Sequence, residues 1–217
     1  MNGKDHQKAI KYFENCAEMQ YQGINPYFQI SQNYLEMGDT VKAESILKDL
    51  RTKYAGDKNV VLQLIDLYIK AGKNEEALEN LAIARADDPE NYSLHFAEGI
   101  IYLNEDRFDE AITSLTKSVE LNSGFYDSQY GLGASYINKA SDMFAKANDI
   151  MDVNEYNKAI DSAMAVFAKA LPYMEKANEL KPDDVFALRS LRDLYYRLKM
   201  TEKYDAVKAK LDTLEQQ

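Results

Sequence analysis

The sequence predicts an all-α chain, a solenoid of antiparallel helix pairs in which one pair near the C-terminus is much longer than the others. Three observations carry this reading. Alanines recur 34 residues apart at Ala9, Ala43, Ala77, Ala111 and Ala145. Tyr34, Tyr68, Tyr102 and Tyr136 keep the same step, each nine residues ahead of its alanine, so two independent positions share one period. A fixed period of roughly 20–50 residues is the signature of a repeat array. Composition agrees: 46% of the 217 residues are apolar, with only 4 Pro and 9 Gly, which favours uninterrupted helices over a disordered or collagen-like chain.

Residues 1–19 supply a second helix alone, with Ala9, Phe13 and Cys16 at helical spacing and no first helix before them. The sequence is therefore expected to start in mid-repeat, as a piece of a longer chain would, with any targeting signal upstream. The first complete hairpin is expected over 25–56. Pro26 opens it, Tyr27, Ile30 and Tyr34 form a stripe, Gly38 and Asp39 turn, and Ala43, Leu47 and Leu50 return. Over 59–89, Val61, Leu64 and Tyr68 lead to a turn at Gly72, then to Ala77, Leu81 and Ala84, and Pro89 ends the unit. Over 93–123 the same places hold Phe96, Gly99 and Tyr102, then Ala111, Leu115 and Ser118. Gly99, Ala111 and Gly133 are small enough for two helices to approach closely.

The fourth hairpin, 126–182, breaks the period. Past Tyr136 the stripe continues through Ala140, Phe144, Ala147 and Met151, and Asp152 with Glu155 then resembles a capping box. A second stripe follows through Tyr156, Ile160, Ala163, Phe167, Leu171 and Met174, and the register resumes at Ala170 and Ala177. The slip of 25 residues from Ala145 to Ala170 predicts about 12 extra residues in each helix, an arm longer by about 18 Å. Pro172 predicts a kink or break where the arm rejoins the array. Residues 184–217 read as a closing hairpin. Leu188, Leu191, Tyr195, Tyr204, Val207, Leu211 and Leu214 face inward, and Lys203, Asp205, Lys208, Lys210 and Asp212 form a polar back.

Pro89, Gly99, Tyr102 and Ala111, at their mutual spacings, resemble the tetratricopeptide repeat, a helix-turn-helix unit of 34 residues, and the resemblance covers nearly the whole chain. It implies a right-handed superhelix whose first helices line a concave groove. The chain departs from the pattern at the bulky position (Tyr27, Val61, His95, Gln129) and at the close-approach glycine (Ser31, Ile65), which reads as drift that loosens packing. Carried over by register, the groove positions are Phe28, Gln32, Leu35 and Glu36, then Leu62, Asp66, Ile69 and Lys70, then Phe96, Ile100, Leu103 and Asn104, then Tyr130, Ala134, Ile137 and Asn138. Family members that grip a C-terminal carboxylate use Lys and Asn here. This apolar set implies instead an apolar helix or extended segment in the groove; alternatively, the arm or a neighbouring chain covers it.

No phosphate loop, His-Glu-x-x-His, nucleophile elbow or cysteine pair occurs, so no catalytic residue, metal site or cofactor is expected. His95 reads as a packed histidine and Cys16 as a small core residue that, being alone, forms no internal disulfide. Asp87, Asp88, Asp183 and Asp184 are explained by helix capping. The net charge is −10, and residues 71–125 hold twelve acidic against four basic side chains. Such a field disfavours nucleic acid and anionic membranes and attracts basic partners, or it is a solvated face. No apolar run approaches the roughly 18 residues of a membrane helix, and residues 1–12 are too polar for a secretory signal. A soluble protein is expected, with cytoplasm and periplasm or export both open.

At the far end of the arm, Ile150, Met151 and Val153 are apolar at a solvent-facing bend, as a contact for a partner, for a second copy, or as a staple on the arm itself. The expected function is a non-enzymatic scaffold that binds a protein or peptide segment of apolar and basic character. Self-assembly through groove or arm, giving a homo-oligomer, is the alternative.

Overall fold

The computed structural model describes residues 3–19, 23–54 and 57–215. Among them are eleven helices and no strand: α1 (Gly3–Glu18), α2 (Asn25–Glu36), α3 (Thr40–Lys53), α4 (Lys58–Lys70), α5 (Asn74–Asp87), α6 (Tyr92–Asn104), α7 (Phe108–Leu121), α8 (Tyr126–Ala147), α9 (Val153–Leu180), α10 (Val185–Arg197) and α11 (Thr201–Leu214). They fall into two compact units, Met1–Pro89 and Glu90–Gln217. Within each unit every helix packs on the next.

The alanine period is a packing rule. Ala43, Ala77, Ala111 and Ala170 are each 0% exposed, at the point where a second helix crosses its first. Ala145 keeps the spacing but is exposed in the last turn of α8, so the register passes to Ala170. The close-approach position lies three residues before each tyrosine. A Cβ on Gly99 would stand 2.5 Å from Leu115 Cγ, and one on Gly133 would stand 2.8 Å from Met174 Cγ. Ser31 at the same register is not loosened packing: it is buried, and its hydroxyl donates to the Ala43 carbonyl at 3.1 Å.

Tyr34, Tyr68 and Tyr102 of the period, and Tyr195 beyond it, are each followed four residues later by a left-handed backbone: Gly38 (φ 81°), Gly72 (φ 68°), Asp106 (φ 58°) and Lys199 (φ 56°). The sharp turn brings a cation over each ring. Lys42 lies 5.1 Å from the centroid of Tyr34, Lys73 5.8 Å from Tyr68, Arg107 4.4 Å from Tyr102 and Lys203 5.5 Å from Tyr195. Tyr136, in the helix that does not turn, stacks on Tyr173 at 5.8 Å instead.

Two of these tyrosines close a polar clasp on the preceding second helix. Tyr68 donates to Glu44 at 3.2 Å, and Lys73 reaches the same carboxylate at 2.6 Å. Lys48 lies 2.5 Å from it on the other side. Hydrogen bonds from Lys48 and then Lys73 hold the Glu44 carboxyl at about 2, well below the usual carboxylate range. Tyr195 and Lys203 repeat the arrangement on Glu175, at 3.0 and 2.6 Å. Burial, then the neighbouring Glu175, pushes the Tyr195 phenol up. At the other end, buried His6 donates through Nδ1 to Asn33 Oδ1 at 2.9 Å and so fastens α1 to α2. Cys16 is only half-buried.

The fourth hairpin is long, but the extra residues are unequally shared: α8 has 22 residues against 13 in α6, and α9 has 28 against 14 in α7. Asp152 caps α9, accepting from the amides of Asn154 and Glu155 at 3.0 and 2.9 Å. Pro172 does not break α9, which runs through it. Pro172 and Ala168 are both exposed, so the carbonyl that loses its helical donor faces water. In the closing hairpin the lysines expected on a free polar back are partly tied down. Lys203 reaches Glu175, and Lys210 donates to the Pro182 carbonyl at 2.6 Å and lies 3.0 Å from Asp183.

Candidate functional site

The first-helix positions predicted as a groove behave differently in the two units. In the first, Phe28, Gln32 and Leu35 of α2 are half-buried, as is Ile69 of α4, while Leu62 is 42% exposed. The polar members are spent locally: Gln32 donates to Glu36 at 3.3 Å, and Asp66 accepts from Lys70 at 2.6 Å, one turn apart. Asp66 is therefore half of an ion pair, and Leu62 is the open apolar member of the set. A shallow cleft of about 350 Å³ in the same unit, lined by Glu14, Tyr27, Ile30, Tyr34, Lys42 and Ile46, includes none of these side chains.

In the second unit the predicted residues double as core. Phe96, Ile100 and Leu103 pack on Ala111, Leu115 and Leu132. Tyr130 and Ile137 pack on the cluster built from Ala140, Phe167, Ala170, Met174, Leu191, Leu194 and Tyr195. Phe96 meets Phe125 edge-on at 5.2 Å, and Tyr130 stacks on Tyr126 at 6.0 Å. Lys181 stands 3.8 Å from the Tyr126 centroid. Burial, then a hydrogen bond to Asp184, raises the Tyr126 phenol's pKa. What these residues present is the outer edge of a packed layer, apolar and aromatic.

The same register continues onto α10, where the long hairpin hides it from a fixed step of 34. Tyr195 is the next tyrosine of the series, and counting from it places Arg189, Asp193, Tyr196 and Arg197 at the facing positions. All four are exposed. Arg189 pairs with Glu215 at 2.8 Å and Arg192 with Asp193 at 2.8 Å, while Arg197 lies over Phe167 at 4.7 Å and Phe144 at 6.0 Å. At the far end of the arm, Met151 is 99% exposed and Val153 69%, while Ile150 is half-buried. Among the described residues no group of three or more His, Cys, Asp or Glu side chains could hold a metal ion, and no helix is long and apolar enough to cross a membrane.

Two family models described as "Tetratricopeptide repeat" match residues 34–97 and 92–125. A Drosophila melanogaster protein, "BBSome complex member BBS4 homolog", is 28% identical over 145 residues, 66% of this chain and 29% of its own length. The "TPR repeat-containing protein YpiA" of Bacillus subtilis (strain 168) is 28% identical over 174 residues, 70% of this chain and 39% of its own. The chain thus spans well under half the length of either relative. Among solved structures, "MamA RS-1 ArsTM double mutant" superposes with a TM-score of 0.68 at 17% identity, covering 96% of this chain and 95% of that one, a likeness of fold. Residues 34–125 thus match the tetratricopeptide repeat, and the period, the left-handed turns and the alanine crossings carry the same all-helical pairing through the described residues on either side.

Proposed function

We propose that the protein is a non-enzymatic scaffold that holds an apolar segment of another protein along the facing side of its first helices. The observation that carries this is Leu62, a large apolar side chain 42% exposed at a facing position, in a register it shares with half-buried Phe28, Leu35 and Ile69. Its polar neighbours Gln32 and Asp66 are already hydrogen-bonded within their own helices, which leaves apolar contact as the main source of affinity on that strip. The acidic excess over residues 71–125 favours a segment with basic flanks.

Leu62→Glu tests the strip better than Phe96→Glu, because Phe96 also belongs to a core cluster and a charge there would unfold as well as unbind. On an array of amphipathic peptides, the wild type is expected to retain apolar peptides with basic flanks. Leu62→Glu should lose at least about ten-fold in affinity for them with unchanged helicity. Equal retention by wild type and variant would remove the strip from the proposal.

A further inference from the structure

We infer that the long hairpin is a self-association device, the tip of one copy docking on the α10 face of a second copy. This uses the arm tip and the α10 end of the facing register, not the apolar strip around Leu62, and does not rest on that strip. Phe167, beneath Arg197, lies 14 residues along α9 from Val153, so the tip stands about 21 Å beyond the end of α10. Met151 at that tip is almost wholly exposed. The tip is also uniformly acidic: residues 148–155 carry Asp149, Asp152 and Glu155 and no lysine or arginine.

The complementary surface is on the same unit. Three of the chain's six arginines, Arg189, Arg192 and Arg197, fall on α10, and with Lys199 they face a single acid, Asp193, over residues 185–199. Phe186 and Tyr196 are 66% and 72% exposed on that helix. At spacings of three, four and seven residues, Phe186, Arg189, Asp193, Tyr196 and Arg197 share one face. Arginine beside exposed aromatic rings is the composition of an interface centre, and apolar residues flanked by carboxylates match it in apolar character and in sign of charge. The existing Arg192–Asp193 and Arg189–Glu215 pairs are exposed and weak, so incoming carboxylates can compete for them. Each copy carries both a tip and an α10 face. The contact can therefore be made reciprocally and close as a two-fold dimer.

Light scattering on the eluting protein tests this. The wild type is expected to rise with concentration from 24.8 kDa to about twice that mass, and to fall back as salt is added. Met151→Lys, at a site too exposed to affect folding, should weaken dimerisation at least about ten-fold. Asp149→Lys with Glu155→Lys, and separately Arg189→Glu with Arg192→Glu, should each be monomeric with wild-type circular dichroism. Mixing these two charge variants should restore a dimer through one native contact and one charge-reversed contact. A wild type that stays at 24.8 kDa up to the highest concentration would overturn the inference, as would a dimer indifferent to Met151→Lys. Failure of the mixture to recover would remove α10 as the docking face.

Discussion

Lys199 and Asp106 hold a left-handed backbone that strains an L-residue by roughly 1–2 kcal/mol, at a register where Gly38 and Gly72 hold it freely. Lys199→Gly is expected to raise stability by about 1 kcal/mol in urea denaturation, and Asp106→Gly by less, because aspartate tolerates this region. A fall in midpoint for Lys199→Gly would contradict that account. Glu44 gives a prediction in pH. Its folded pKa is lowered from 4.5 to about 2, so its contribution is complete above 4.5 and is lost as pH falls through 2. With its lysines 60% and 38% exposed, water screens the clasp. Glu44→Gln should therefore cost only about 1 kcal/mol at neutral pH. The gap to wild type should narrow as the pH is taken from 5 towards 2, and a gap independent of pH would mean that packing, not charge, is at stake. The alanines, tyrosines and glycines were legible in sequence because each does one local job. The cation over each tyrosine was not, since it depends on the direction the chain takes after the turn.

Among the elements, the two close-approach glycines should separate by what faces them. An added methyl gains about 1 kcal/mol of helix propensity in either place. At Gly99 it meets the branched Cγ of fully buried Leu115 at 2.5 Å, with that residue's backbone N at 3.2 Å, and neither can move aside. At Gly133 it meets the unbranched chain of Met174, which can change rotamer. Gly99→Ala is expected to cost about 1–2 kcal/mol net and Gly133→Ala distinctly less, read by thermal or chemical denaturation. Equal losses would show that methionine's adaptability is not what matters there. The existence of the long hairpin was legible from the interrupted period. How its residues divide between α8 and α9 was not, because nothing in an alanine spacing says where between two crossings the chain reverses. Pro172 gave a kink or a break as the expectation, and α9 runs through it unbroken; with Ala168 exposed, water takes the carbonyl that loses its helical donor.

For the whole chain, fold class was readable because a repeat states its packing several times over. The facing surface was readable only as far as the period held. Beyond Tyr136 the register had to be picked up again from Tyr195, and with it came Arg189, Tyr196 and Arg197 on α10. The predicted strip and α10 differ in chemistry, one apolar with its polar groups satisfied, the other rich in arginine and open aromatic rings. A partner that reads one surface therefore has little reason to compete for the other.

The long hairpin returns to register at Ala170, and the core it shares with the closing pair lies at its base, around Ala140, Phe144 and Phe167. Reach is thereby uncoupled from assembly. Lengthening or shortening both helices by matched turns would move the tip by about 5.4 Å a step while every crossing in the array stayed where it is. Such a chain carries an adjustable strut, whose span can drift between relatives without any cost to the body that bears it.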